Sequence, residues 1–200
     1  RNVLRMKERD TAILFDGSGS DVLCEFVSLN KKEAVFNVLE RTKGNVPLCD
    51  VTLFMALIKK DNFELVLEKA TELGVTRIVP VEATRSEKKG LNYERARKII
   101  KEASEQSFRS TVPVLEEVVS LDTIVGENLF MFDPRAKISA REFFANNLVS
   151  SARLIIGPEG GFTETEVEAF EKRGVKIVSM GKTVLRAETA AIVALAYILA

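Results

Sequence analysis

Short apolar runs separated by polar turns make up the first part of the chain, and the pattern changes once along its length. The early strand-like runs are 11–15, 22–29 and 34–39. Each run is bounded by Gly, Ser, Asn or Lys turns, which is typical of a small β-barrel. Turn residues then cluster at 44–47, after which strands alternate with helical periodicity. The pattern therefore predicts a small β-barrel over 1–46 and a separate α/β domain over 47–200.

The second part of the chain follows a strand–helix–strand order, which predicts a mostly parallel sheet. We expect Asp61 to cap the first helix and Gly74 to close it. A later helix should begin at Thr163, with Glu166 completing a capping box, and end before Gly174. The strand-like runs of this part are 51–57, 77–81, 129–132, 154–156 and 176–180, and the last helix, apolar around most of its circumference, is 188–200.

Two Gly-bearing turns, each set between a strand and a helix, stand out in this second part. The first is Ile-Gly-Pro-Glu-Gly-Gly-Phe at 156–162, where Gly160 and Gly161 permit backbone torsions or close ligand approach. The second is Gly-Lys-Thr-Val-Leu-Arg-Ala-Glu-Thr-Ala at 181–190. Turns at the carboxyl ends of neighbouring strands form a crevice suited to a small ligand. Ordinary tight turns are the alternative interpretation of each motif taken alone.

Neither turn fits a P-loop or the G-x-G-x-x-G dinucleotide fingerprint. As a pair, the turns 156–162 and 181–190 resemble the RsmE family of RNA methyltransferases in the SPOUT class. Similar blocks at 68–75 and 103–109 extend the resemblance over nearly the whole chain. The resemblance implies a SPOUT-type α/β domain with a C-terminal trefoil knot, preceded by a PUA-like RNA-binding barrel. It also implies S-adenosylmethionine-dependent methylation of N3 of a uridine in 16S ribosomal RNA.

The same resemblance implies where the cofactor S-adenosylmethionine binds, with the strand-end turn after Phe132 as a third wall. A sulfonium donor needs no catalytic metal, so Gly-rich loops and apolar side chains suffice and no metal site is expected. Relatives usually show His-Pro where this chain has Asp133-Pro134. The residues expected to bind the cofactor are Phe132, Asp133, Ile156, Gly157, Pro158, Glu159, Gly160, Gly161, Met180, Gly181, Val184, Leu185 and Arg186.

Arg186 and Glu188 are the expected catalytic residues. A neutral uracil N3–H is a poor nucleophile, so an enzyme must assist proton removal or stabilise charge on the flanking carbonyl oxygens. Arg186 would stabilise that charge, and Glu188 would act as the base or orient Arg186. A purely structural Arg–Glu pair is the alternative. Neither Cys24 nor Cys49 lies in the loop region, which disfavours the cysteine adduct generally used for carbon-5 methylation.

Composition and charge narrow these possibilities further. The chain has 46% hydrophobic residues and no histidine, which predicts a proper core and excludes His-based catalysis and His-containing zinc sites. Basic and acidic residues balance at 29 each, so RNA binding must depend on local patches. Two cysteines suit a reducing cytoplasm. The residues expected to bind RNA are Arg1 and Arg5 in the barrel and Arg85, Arg95 and Arg109 in the basic region 85–109, for which solvated charged faces are the alternative.

Three other functions stay open at this stage: a SPOUT ribose 2′-hydroxyl methyltransferase, a non-catalytic RNA-binding module, and a structural dimerising protein. We expect a cytoplasmic homodimer acting on ribosomal RNA, in an assembled small ribosomal subunit. Apolar runs are too short for a membrane span. Because the chain starts with Arg1 rather than Met, we also expect that the natural N-terminus is missing.

Overall fold

The computed structural model describes residues 6–30, 33–86, 90–147 and 149–199, and these fall into two units. The first unit holds the residues up to Val46 together with Phe108–Val112. The second unit holds Pro47–Ser107 and the residues from Pro113 onward. The sequence pattern had placed 108–112 in the second domain, because it predicted a single boundary after residue 46.

An antiparallel sheet in the order β1-β2-β3 forms the described part of the first unit. Its strands are β1 (Thr11–Phe15), β2 (Ser20–Leu29) and β3 (Ala34–Lys43). The three predicted strands are confirmed, although β2 begins two residues earlier and β3 ends four residues later than the apolar runs. Phe26 and Phe36 meet edge to face across β2 and β3, with ring centroids 5.5 Å apart.

Ser110 joins the segment Phe108–Val112 to this sheet. Its hydroxyl donates to Asp21 Oδ1 at 2.6 Å and accepts from the backbone N–H of Asn45 at 2.7 Å. Its carbonyl accepts from the backbone N–H of Gly19 at 2.9 Å, and the residue is fully buried. A side-chain carbon at Gly44 would overlap the Ser110 side chain, so the chain requires glycine there.

The second unit is built on a parallel sheet in the order β6-β5-β4-β10-β8-β11-β9, with β7 paired to β5. This arrangement confirms the mostly parallel α/β fold expected from the sequence. Its strands are β4 (Asp50–Ala56), β5 (Arg77–Glu82), β6 (Val114–Leu115), β7 (Val119–Ser120), β8 (Leu129–Phe132), β9 (Ile138–Ser139), β10 (Ser151–Ile156) and β11 (Lys176–Ser179). Its helices are α1 (Lys60–Leu73), α2 (Tyr93–Gln106), α3 (Ala140–Asn146), α4 (Glu164–Lys172) and α5 (Ala187–Leu199), with a 3₁₀ turn at Leu121–Thr123.

Helix ends test the predicted capping signals individually. The capping box of α4 is confirmed, since Thr163 Oγ1 accepts from the Glu166 N–H at 3.1 Å and Glu166 Oε2 accepts from the Thr163 N–H at 2.7 Å. Gly74 ends α1 in the left-handed conformation, at φ 109°. The prediction that Asp61 caps α1 is wrong, because the cap position is Lys59, which makes no side-chain capping bond. Asp61 lies inside the first turn, where its charge favours the helix dipole.

The two faces of the parallel sheet pack against different helices. Alternate side chains of a strand point to opposite faces, and in β10 Leu154 and Ile156 belong to one apolar cluster whereas Ile155 belongs to the other. The first cluster includes residues of α1, α2, α3 and α5, and the second includes Phe170 of α4. Helix α5 contributes Ala191, Ala194 and Leu195, which are fully buried.

Candidate ligand site

A cavity of about 550 Å³ lies beyond the carboxyl ends of the central strands in the second unit. Its walls come from the segments that follow β4, β8 and β10, and from the loop and first turn before and within α5. A smaller adjoining cavity of about 60 Å³ shares Phe132, Asp133, Val184 and Leu185 with it. The crevice predicted between the two Gly-bearing turns is therefore present in the structure.

The structure brings most of the residues predicted to bind the cofactor into these walls. Those lining the larger cavity are Phe132, Asp133, Ile156, Gly157, Pro158, Glu159, Gly161, Val184, Leu185 and Arg186. Met180 and Gly181 line the smaller cavity. Gly160 lines neither of the two, and its carbonyl instead accepts a hydrogen bond from Arg85 Nη1 at 2.9 Å. Cofactor contacts at these positions remain predictions.

The first Gly-bearing turn closes on its own aromatic residue. Phe162 is only 2% exposed, and its ring lies so close to Gly157 that a Cβ there would stand 3.0 Å from the ring. Gly161 has φ 65°, and its N–H donates to the Pro158 carbonyl at 2.8 Å. The backbone N–H of Lys59 donates to Glu159 Oε1 at 3.1 Å, which ties the turn to the start of α1.

Asp133, at the end of β8, is held by Arg135. The carboxylate is 3% exposed and accepts from Arg135 Nε and Nη2, each at 2.8 Å, and from the Arg135 backbone N–H at 2.8 Å. Burial alone would raise the pKa of Asp133, but the hydrogen bonds and charge of Arg135 outweigh it and hold that pKa below its usual value. Arg135 Nη2 also donates to the Phe162 carbonyl at 3.1 Å, so it bridges two walls of the cavity.

Arg186 and Glu188 both line the larger cavity but occupy different environments. Arg186 is exposed, whereas Glu188 is 7% exposed and its Oε2 has no hydrogen-bond partner among the described residues. No ion pair joins the two side chains in the described part of the chain. The structure thus gives no support to Glu188 as the residue that orients Arg186, or to a structural Arg–Glu pair.

The arginines predicted to bind RNA differ in what the structure shows of them. Arg1 and Arg5 lie outside the described residues. Arg85 is exposed but is bound to loop carbonyls. Arg109 is 4% exposed, and its burial lowers its pKa to about 10, so it stays protonated near neutral pH but does not present its charge to a phosphate. This burial argues against the predicted contact of Arg109, and its place within the first unit is the physical reason.

Three of the four basic residues of helix α2 have an acidic partner. Arg95 pairs with Glu64 of α1 at 3.0 Å, and Lys98 and Lys101 each lie 3.8 Å from a glutamate one turn later on α2. The groove between α1 and α2 is rich in carboxylates, which a phosphate backbone would avoid. The residues lining this groove are Asp61, Glu64, Leu65, Glu68, Glu72, Arg95, Ile99, Glu102, Ala103 and Gln106. The acidic partners therefore weaken the predicted phosphate track over 85–109.

The described residues show neither a metal-binding cluster nor a membrane-spanning helix. They contain no group of three or more His, Cys, Asp or Glu side chains placed to hold a metal ion. Within those same ranges, no helix is both long enough and apolar enough to cross a membrane.

Comparison with known proteins gives concordant matches over both units. The family model described as "RNA methyltransferase domain" matches residues 45–199, and that described as "RNA methyltransferase PUA domain" matches residues 1–39. The Ribosomal RNA small subunit methyltransferase E of Rickettsia conorii is 32% identical over 99% of this chain and 84% of its own length. The protein of that name from Bacillus subtilis is 34% identical over 98% of this chain and 84% of its own length.

A solved structure agrees with these matches. The Ribosomal RNA small subunit methyltransferase E from Neisseria gonorrhoeae, bound to S-adenosyl methionine, superposes with a TM-score of 0.84 at 30% identity. The match covers 98% of this chain and 84% of that protein.

Proposed function

Because the chain belongs to the family of RNA methyltransferases with an N-terminal PUA domain, we propose that it is an S-adenosylmethionine-dependent methyltransferase of small-subunit ribosomal RNA. The matched relatives carry that activity in their names and align over almost the whole chain. We further propose N3 of a uridine as the methylated atom, which follows from the family resemblance of the two turns.

The observation that carries the proposal concerns Glu188 in the wall of the larger cavity: its buried Oε2 has no hydrogen-bond partner among the described residues. A buried carboxylate oxygen without a hydrogen bond is costly, so the N3–H of a bound uracil is expected to supply the missing donor. The cavity lining also suits a methyl donor, because Gly157 and Gly161 present backbone without side chains and Ile156 and Leu185 provide apolar wall.

The chemistry then divides between this chain's residues and the cofactor. Bound S-adenosylmethionine supplies an electrophilic methyl group on a sulfonium and requires no metal. We assign to Glu188 the role of accepting the proton from uracil N3, because this residue lines the larger cavity and its Oε2 has no hydrogen-bond partner among the described residues. The exposed Arg186, which lines the same cavity, would stabilise negative charge on a flanking uracil carbonyl as that proton leaves.

A direct test measures both binding and product. Calorimetric titration with S-adenosylmethionine should show one site per chain, and nucleoside mass spectrometry of ribosomal RNA from cells lacking the protein should show loss of one N3-methyluridine. Loss of a ribose-methylated nucleoside instead would favour the ribose 2′-hydroxyl methyltransferase. Absence of any cofactor binding would leave an RNA-binding module without catalysis.

We also propose an oligomeric state, a substrate context and a location for the protein. We propose a homodimer that acts on ribosomal RNA within an assembled small subunit, in the cytoplasm. Half-buried apolar side chains on α5, including Ile192, Val193 and Ile198, and the 77% exposed Val184 at the cavity are surfaces that a second copy would cover. Sedimentation at micromolar concentration with cofactor present should give a dimer, and a monomer would refute the homodimer.

A further inference from the structure

The carbonyl of Phe162 is the acceptor for guanidinium groups from two different strand ends. Arg135, which follows β8, donates from Nη2 at 3.1 Å. Arg85, which follows β5, donates from Nη1 to the same carbonyl at 3.5 Å and to the Gly160 carbonyl at 2.9 Å. The 3.5 Å bond is long, so the main contact of Arg85 in this loop is the one to Gly160. Two cations therefore hold the end of the turn 157–162.

Each arginine lies on a segment that other contacts hold in place. Arg135 is aimed by the buried Asp133, whose two carboxylate oxygens take its Nε and Nη2 in a planar fork. The segment that carries Arg85 is tied to α4, because the Thr84 N–H donates to Glu166 Oε1 at 2.8 Å. Bonds that do not involve the turn itself thus hold the Arg135 side chain and the segment that carries Arg85.

The turn needs such support because its sequence does not provide order. Gly157, Gly160 and Gly161 lose more conformational freedom on ordering than any other residue type. If this ordering took place only when a ligand bound, its cost would be subtracted from the binding free energy. Bonds that order the turn beforehand therefore strengthen ligand binding without touching the ligand.

We propose that Arg85 and Arg135 are paired positioning residues, which hold the turn 157–162 in its cofactor-accepting shape through the carbonyls of Gly160 and Phe162. The part that concerns the cofactor rests on the proposed function. The part that concerns the order of the turn does not, because it is a property of the free protein. This assignment gives Arg85 a role on the loop in place of the RNA contact expected from the sequence.

The chain provides a matched control in Arg173. Its guanidinium makes three hydrogen bonds, as that of Arg135 does, here to the backbone carbonyls of Ala169 at 3.2 Å, Asp122 at 3.1 Å and Ile124 at 3.0 Å, but it does not line the larger cavity. Arg135→Ala and Arg173→Ala therefore each remove a comparable set of bonds, at and away from the cavity. Thermal unfolding of both variants shows whether they are folded to a similar extent.

The first measurement is calorimetric affinity for S-adenosylmethionine. Because a hydrogen bond from a charged donor is at stake, Arg135→Ala should raise Kd about tenfold or more, whereas Arg173→Ala should leave Kd within about twofold. Arg135→Lys should not restore the affinity, since an ammonium cannot reproduce the fork to Asp133. The double variant Arg85→Ala/Arg135→Ala should lose more than the product of the single losses, because only then is the Phe162 carbonyl left without either donor.

The second measurement is amide hydrogen exchange of residues 157–162 in the protein without cofactor. Exchange should accelerate in Arg135→Ala and not in Arg173→Ala. Unchanged exchange in Arg135→Ala overturns the inference. If the wild-type protein binds the cofactor, an unchanged Kd in Arg135→Ala overturns it as well. A wild-type protein that fails to bind the cofactor overturns the proposed function, while exchange still decides the role of the arginines. Weaker RNA binding with unchanged exchange would identify them as RNA contacts and overturn the inference.

Discussion

Arg186 and Glu188 stand two positions apart in the wall of one cavity, the first exposed and the second 7% exposed, and no ion pair joins them in the described part of the chain. Their separation means that each is available to a ligand independently. A paired carboxylate would already have its charge neutralised, and a paired guanidinium would have its donors occupied. We therefore expect a substitution at one of the two residues to leave the role of the other intact.

Glu188→Gln should lower the single-turnover rate by about 10²-fold or more, because an amide cannot accept the N3 proton. Affinity for S-adenosylmethionine should change little, since the side chain keeps its size. Glu171→Gln, at an exposed position of α4, is the control and should leave the rate unchanged. A wild-type rate in Glu188→Gln would remove Glu188 from the proton transfer.

Arg186→Lys should keep cofactor affinity while lowering turnover, by about 2–4 kcal/mol of transition-state stabilisation for one lost donor. An ammonium carries the same charge but lacks the planar set of donors that matches a uracil carbonyl. The test is single-turnover kinetics on small ribosomal subunits at saturating cofactor. If the lysine variant retains the full rate, charge stabilisation must come from another group.

Glycine substitutions should show how much each of the two turns contributes to cofactor binding. Gly181→Val should abolish cofactor binding, because φ 118° is strained for any side chain even where space is open. Gly157→Ala should also weaken binding, since its Cβ would press on the Phe162 ring. Gly160→Val should weaken binding without abolishing it, because its Cβ would stand 3.3 Å from the Arg85 Cβ and press on the residue that holds the Gly160 carbonyl. Calorimetry on the three variants orders them, and an intact affinity in Gly181→Val would misplace the site.

Asp133→Asn should destabilise the protein at neutral pH and much less in strong acid. The pKa of Asp133 is lowered in the folded protein from its usual 3.8, so its bonds to Arg135 contribute in full above about that pH. The contribution is lost as pH falls through the lowered pKa. Denaturant unfolding at pH 7 and at pH 3 should therefore show a difference between variant and wild type that shrinks in acid. An equal difference at both pH values would contradict the assignment.

Much of the fold was predictable because local signals and tertiary packing agree. The strands 11–15 and 129–132, and the capping box that begins at Thr163, follow from patterns within a few residues. Asp61 misled because an acidic residue near a helix start fits either the cap or the first turn. The two Gly-bearing turns marked the cavity correctly, since the carboxyl ends of adjacent parallel strands must meet at one edge.

The remaining features depend on contacts between residues far apart in sequence. No local pattern distinguishes the buried Arg109 from the exposed Arg95, because burial depends on the unit into which each residue folds. The bridge from Arg135 to Phe162 was likewise invisible, although Asp133 in place of the usual histidine was a signal that this strand end differs. A carboxylate two residues before an arginine is the pattern that would have suggested it.

The return of Phe108–Val112 to the first unit has a consequence for how such proteins recombine. Ser110 takes its hydrogen bonds from Gly19 and Asn45 and gives one to Asp21, so the first unit is encoded in two separate stretches of the gene. A single crossover near codon 46 between two relatives would combine the sheet of one parent with the segment Phe108–Val112 of the other. Chimeras should therefore fold well only when both stretches are inherited together.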